Sequence, residues 1–339
     1  MGLPGPELTG GVRDLIRDLQ PGGFILFARN LASAGQTYRL LREVRDLLDA
    51  PPFLTIDQEG GRVARLQSFA GRPVSGEALA RANRAEWAAT HGKLTGEVLR
   101  LFGFNLNLAP VVDYDLSDSR DNSLSGRCLG TSPDQTIELA GAFLDAMQNE
   151  QVLGTIKHFP GYTYCENDPH ADLPRIPRSL DVMEQDELRV FRALFSRAEA
   201  VMIGHGHFTH WHPEPYPASL SRPIVSDLLR DALGYRGLVM TDDLEMGAIA
   251  RRYSMAEATR LALEAGNDLL LVCHNPACAV LSREALEDLP SSIIEPVLQR
   301  ITEARAKLPD PPVAWDQAAF EDNILATRQL REQVEASLK

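Results

Sequence analysis

Lys157-His158-Phe159-Pro160-Gly161 is followed at close range by Asp168-Pro169-His170. A short apolar lead, Val152 to Ile156, runs into the Lys-His pair. This is how a strand delivers polar groups to a site and a loop brings an acid/base over it. A histidine beside a carboxylate titrates near neutral pH, where a general acid is most useful.

Two further segments carry carboxylates at strand ends. In Leu238–Asp243, successive side chains point to opposite faces, so only one of Asp242 and Asp243 should enter a site. Leu238, Met240 and Asp242 share one face and Val239, Thr241 and Asp243 the other. Neither face is the more polar, so the pattern fits a catalytic carboxylate as well as one solvated carboxylate and one helix N-cap. In Ile56-Asp57-Gln58-Glu59-Gly60-Gly61-Arg62-Val63-Ala64-Arg65, the Gly-Gly pair permits close backbone approach or positive φ. Asp57 suits paired hydrogen bonds from vicinal sugar hydroxyls, and a nearby arginine suits a carbonyl or carboxylate. An internal Asp–Arg pair bracing the loop fits the same residues.

Two rival chemistries use the same region. Lys157 on a strand is a Schiff-base candidate if desolvation lowers its pKa, as in a class I aldolase. His205, His207, His210 and His212 invite a metal reading, although their spacing is not His-Glu-x-x-His and the run enters a proline-containing loop.

The elements that must position these groups alternate. Gly23–Phe27, Phe53–Asp57, Asn105–Val112, Thr155–Phe159, Ala200–His205, Leu238–Asp243 and Asp268–Val272 are apolar runs suited to strands covered on both faces. Helical stretches lie between them: Ala34–Leu48, Ala85–Leu101, Pro133–Gln148, Met183–Arg197, Ile224–Leu233 and Met255–Ala265. The alternation predicts an α/β fold with a parallel sheet. A doubly wound sheet fits it too. Asp57, Asp113, His158, His205 and Asp242 all end different strands, which favours a (β/α)8 TIM-type barrel whose mouth collects them. Seven strands are visible, and an eighth, short or irregular, is expected near Arg127–Leu129. No repeat or composition shift divides the chain, so residues 1–339 read as a single barrel domain ending in a helix over Asp316–Leu338.

Composition narrows the partners. A formal charge of −13 over 339 residues argues against nucleic acid or an anionic membrane as the main partner. Cys128, Cys165, Cys273 and Cys278 form no Cys-x-x-Cys pair and suggest no disulfide framework. The N-terminus has no basic n-region or apolar h-region, and no apolar run is long enough to span a bilayer. A soluble, cytoplasmic protein is expected.

These segments together resemble single-domain glycoside hydrolase family 3 enzymes of the bacterial β-N-acetylglucosaminidase type. The likeness is carried by GFILFARN at 23–30, IDQEGGRVAR at 56–65, NLNLAPVVD at 105–113, KHFPG at 157–161 and Asp168-x-His170. PASLS at 217–221, LRDALGYRGLVMTDDLEM at 229–246 and ALEAGNDLLLVC at 262–273 extend it in order along nearly the whole chain. The resemblance implies Asp242 as nucleophile, His170 as acid/base and Asp168 as the carboxylate that tunes it. It implies sugar contacts from Asp57, Arg65, Arg127, Lys157 and His158. It further implies a retaining exo-β-N-acetylglucosaminidase working through a covalent glycosyl-aspartate, without metal or organic cofactor, on N-acetylglucosamine-containing glycans or muropeptides in peptidoglycan recycling. A related β-glycosidase, a glycosyl phosphorylase and a sugar-binding pseudo-enzyme are the alternatives.

The family loop reads Lys-His-Phe-Pro-Gly-His-Gly and then Asp-Ser-His. Here Tyr162-Thr163-Tyr164-Cys165-Glu166-Asn167 follows Gly161, and Pro169 separates the dyad. Lost His and Gly residues, with two tyrosines and a proline gained, are expected to stiffen the loop and change its contacts.

Overall fold

Seven parallel strands form one curled sheet, and their spatial order is their chain order. The computed structural model describes residues 1–115, 123–165, 172–312 and 314–339. The strands are β1 (Gly23–Leu26), β2 (Phe53–Ile56), β3 (Leu106–Asn107), β4 (Leu153–Phe159), β5 (Ala200–Ile203), β6 (Leu238–Asp243) and β7 (Leu269–Leu271). A doubly wound sheet would reverse direction at a switch point, and this one does not.

Each strand divides its side chains between two cores. Phe24 and Leu26, Val201 and Ile203, and Val239 pack outward against the helices. Ile25, Phe53, Leu106, Leu108, Ala200, Met202, Leu238, Met240 and Cys273 fill the interior of the curl. The period of two thus continues on both faces of an almost wholly apolar strand. Asp242 extends the interior row begun by Leu238 and Met240, but the ladder to β7 shifts register between Met240 and Asp243, and both carboxylates line the strand-end cavity, against the expectation that only one would enter it.

The eighth position of the barrel is not at Arg127–Leu129, where the chain makes a turn. The N-terminal segment bridges the seam between β1 and β7. Gly2 pairs in parallel with Ile25, Ile25 N donates to Met1 O at 3.0 Å, and Gly2 N donates to Val272 O at 2.8 Å. A Cβ on Gly2 would stand 1.9 Å from Cys273 O, so only glycine fits between these backbones.

Several expected boundaries move for local reasons. β3 is two residues long; Pro110 lacks an N–H for a ladder, and Val111 rejoins the sheet through one bridge to Lys157. The helix expected over Met183–Arg197 is two, Leu180–Gln185 and Glu187–Leu194, broken at Asp186 with φ −108° and ψ −101°. Pro223–Ala232 is a π-helix, and Leu233 N donates to Leu228 O five residues back. Ser33, Ser132 and Ser254 cap the helices Ala34–Asp46, Pro133–Asn149 and Met255–Ala265 through their side chains. The C-terminal helix spans Gln317–Ser337 and packs on Ala85–Phe102. Among the described residues, no helix is long and apolar enough to cross a membrane.

Candidate active site

The C-terminal ends of the strands surround a cavity of about 530 Å³. Asp57, Arg65, Arg127, Lys157, His158 and Asp242 all line it. Asp168 and His170 lie outside the described residues.

β2 ends at Ile56 and delivers Asp57, and a short extended segment, Gln58–Gly60, turns back over it to pair with Val63–Ala64. Gly60 and Gly61 have φ of +111° and +55°, and a Cβ on Gly60 would meet Val74 O at 2.3 Å. The pair therefore serves both uses expected of it. Asp57 Oδ2 accepts from Arg65 Nη2 at 3.0 Å, so the internal brace is real, but both partners also face the cavity. Lys157 Nζ donates to Asp57 Oδ1 at 2.8 Å and lies 2.7 Å from Glu59 Oε1. Arg127 meets Glu59 in a fork, Nε to Oε2 and Nη2 to Oε1, both at 2.8 Å.

Glu59 was not among the residues expected to act. It is 8% exposed and joins the two cations that the sequence did single out. A signal was available, because residues two apart on an extended segment share a side, which places Glu59 with Asp57. Burial alone would raise the pKa of both carboxyls. The ammonium and guanidinium partners outweigh it, Lys157 then Arg65 for Asp57 and Arg127 then Lys157 for Glu59, and hold both well below the usual range.

β4 presents Lys157 and His158 together. Its register against β5 shifts between Lys157 and Phe159, so two residues oppose one and successive side chains can serve the same cavity. Burial would lower the Lys157 pKa, but Asp57 and Glu59 raise it above the ordinary value. An ammonium so held is a poor amine nucleophile, which removes the physical basis of the Schiff-base reading. Asp113 anchors the neighbouring imidazole: Oδ2 lies 2.8 Å from His158 Nδ1 and accepts from His158 N at 3.1 Å, while Oδ1 accepts from Tyr162 N at 2.6 Å. The Tyr162 ring stacks on His158, with centroids 4.9 Å apart and planes at 16°.

The described start of the altered loop is packed in place. Tyr162 and Cys165 are each 1% exposed. Thr163 Oγ1 accepts from Tyr114 N at 3.1 Å, and the Arg178 guanidinium sits 3.7 Å from the Tyr164 ring centroid. Gly204 makes room, since a Cβ there would lie 2.4 Å from the Tyr162 ring.

Asp242 leaves the inner face of β6 in the same cavity. Its Oδ1 accepts from Asp243 N at 2.8 Å. Burial would raise its pKa, but His205, His158, the Asp243 N–H and Lys157 together lower it. Asp243 behaves oppositely. Burial, Asp242 and Glu245 push its carboxyl up to about 6 against the pull of the Glu245 N–H and His274. The two adjacent carboxyls therefore separate into one firmly ionised group and one that titrates, a division characteristic of functional pairs.

The four-histidine run does not converge. His205 contacts Ser219 Oγ and Asp243 O, His207 contacts His212 O, and His212 contacts Ser221 Oγ. Among the described residues no group of three or more His, Cys, Asp or Glu side chains is arranged to hold a metal.

Fold and cavity together define an α/β-barrel enzyme with ionised carboxylates and cations gathered at the C-terminal mouth. Residues 6–304 match the family model described as the glycosyl hydrolase family 3 N terminal domain. A curated β-hexosaminidase of Tolumonas auensis is 33% identical over 298 residues, covering 87% of this chain and 88% of the relative. A β-hexosaminidase of Pseudomonas aeruginosa is 34% identical over 292 residues, 85% of each chain. The solved structure of a glycoside hydrolase family 3 β-N-acetylglucosaminidase from Paenibacillus is 31% identical with a TM-score of 0.88, covering 98% of this chain and 66% of that one. The chain belongs to glycosyl hydrolase family 3 and is a glycoside hydrolase.

Proposed function

We propose that this chain is a retaining exo-β-N-acetylglucosaminidase with Asp242 as nucleophile. The observation that carries the reading is that Asp242, whose pKa His205, His158, the Asp243 N–H and Lys157 lower against burial, lines one cavity with Lys157, Arg65, Arg127 and His158. Asp242 attacks the anomeric carbon as the glycosidic C–O bond breaks, and His170 donates a proton to the departing oxygen. The glycosyl-aspartate is then hydrolysed by a water whose proton returns to His170, so the configuration is retained. Asp168 holds the imidazole of His170 in use near neutral pH. Asp57, Arg65, Arg127, Lys157 and His158 bind sugar hydroxyls and fix the ring against Asp242.

The names of the relatives support a terminal β-linked N-acetylhexosamine as substrate. The wider likeness in sequence supports muropeptides of a recycled cell wall as its source, one catalytic domain over the chain, and a cytoplasmic setting. A mechanism-based 2-deoxy-2-fluoro sugar with a good leaving group tests the core of the proposal. Peptide mapping after slow turnover is expected to find the label on Asp242. Label on any other residue overturns the assignment.

A further inference from the structure

The mouth of the barrel holds an Asp–His contact besides the expected dyad. His274, just beyond β7, lines the cavity, and its Nε2 lies 3.2 Å from Asp243 Oδ2. Its other ring nitrogen, Nδ1, lies 3.3 Å from Arg29 Nη1. A guanidinium can only donate, so Nδ1 must be the acceptor and the ring proton must sit on Nε2, aimed at Asp243. The ring is held from the side by Phe27, stacked at 5.5 Å and 28°, with Arg29 at 4.6 Å from the same Phe27 ring. Glu245 fixes the backbone, accepting from His274 N at 2.6 Å and Asn275 N at 3.0 Å.

Asp243 is gripped at four points, one of them the Met246 N–H that donates to its carbonyl at 3.0 Å. His274 and the Glu245 N–H hold its carboxylate, the latter at 3.0 Å from Oδ1, and His205 Nε2 holds its carbonyl at 2.8 Å. What remains is its own N–H, and that donates to Asp242 Oδ1. Orientation of this one peptide therefore sets the position of the Asp242 carboxylate.

We propose that His274, kept in its Nε2–H form by Arg29, is a positioning residue that aligns the nucleophile Asp242 through Asp243. This rests on the reading of Asp242 as nucleophile. The alignment requires Asp243 as an anion, because both of its oxygens accept hydrogen bonds. The charged and titratable groups around Asp243 are Asp242 on its own strand, Glu245 in the following turn, His205 from the end of β5, Cys273, His274 and Cys278 from beyond β7, and the amine of Met1 in the seam. A hydrogen bond from the neutral His274 Nε2–H favours the ionised carboxylate, so its removal raises the Asp243 pKa and moves the acid limb of activity to higher pH.

Two measurements test this. Long-range proton–nitrogen correlation on ¹⁵N-histidine-labelled protein, with His274 assigned by its loss in His274→Gln, is expected to show a bare Nδ1 and a protonated Nε2 at pH 7. The other tautomer, or an imidazolium, overturns the proposal without reference to turnover. Kinetics on an aryl N-acetylglucosaminide are expected to show His274→Leu lowering kcat roughly 10- to 100-fold with KM nearly unchanged. Its acid limb should rise by about one pH unit. His274→Gln restores an N–H near the Nε2 position and should recover most of kcat. An unchanged kcat in His274→Leu overturns the positioning role, as does failure of His274→Gln to recover. Absence of turnover by the unsubstituted protein overturns the function reading instead, and the tautomer measurement still judges the Arg29–His274–Asp243 arrangement.

Discussion

Asp242 and Asp243 have the same side chain and adjacent positions, yet they act on stability and chemistry in different ways. Asp243 keeps its proton to about pH 6 when folded, against 3.8 for an ordinary aspartate. The folded state therefore binds the extra proton between those values. The stabilisation this gives is fully present below 3.8 and is lost as pH rises through about 6, a change of roughly 3 kcal/mol. Asp243→Asn removes the titration, so denaturant unfolding should show the variant gaining up to about 3 kcal/mol on the parent between pH 4 and pH 7.5. Glu59 has the opposite sign. Its folded pKa is lowered, so its contribution is present above the unfolded value and disappears as pH falls through the folded one. Glu59→Gln leaves Lys157 and Arg127 without a shared counter-charge and should cost about 3–5 kcal/mol at pH 7 by the same measurement. The residue types at these sites were legible in the sequence, but their division of labour was not. A strict period of two along Leu238-Val239-Met240-Thr241 would send one carboxylate inward, and no local pattern announces the register shift between Met240 and Asp243 that accompanies both lining the cavity.

Among the elements, the strands were the most legible, because double-sided burial demands the Val, Ile, Leu and Phe runs that mark them. Interruptions were less so. The break at Asp186 places Glu187, 2% exposed, beside Arg178 and against Gly161, contacts between segments that no local pattern encodes. The junction of β4, β5 and the altered loop is coupled in the same way. Gly204→Ala should drive its new methyl into Tyr162, destabilise by about 1–3 kcal/mol and tilt the ring from His158. Tyr162→Ala should cost about 3–5 kcal/mol through the space it leaves. Combined, the two should cost at least about 1 kcal/mol less than their separate effects added. Additive losses in a double-mutant cycle would show that the two sites are not in contact.

At the scale of the molecule, the alternation of strands and helices was enough to expect a barrel, and the strand-end carboxylates and histidines to expect its mouth. The eighth stave was not foreseeable. Met1-Gly2-Leu3-Pro4 has neither a strand's length nor its alternation, and it earns its place only by fitting between two edges far away in the chain. Gly2→Val should force the seam apart at Cys273 O and cost at least about 2 kcal/mol, measurable as a lowered Tm with the far-ultraviolet spectrum retained.

That seam also has a consequence in time. Gly2 leaves the ribosome about 270 positions ahead of its partner Val272. At about 5–20 residues per second, the first partner waits roughly 15 to 55 seconds for the second. Until then the growing sheet has two open edges, each able to pair with a neighbouring nascent chain. Closure of this barrel therefore cannot precede the emergence of Val272, and the interval before it is when the chain is most exposed to its own copies.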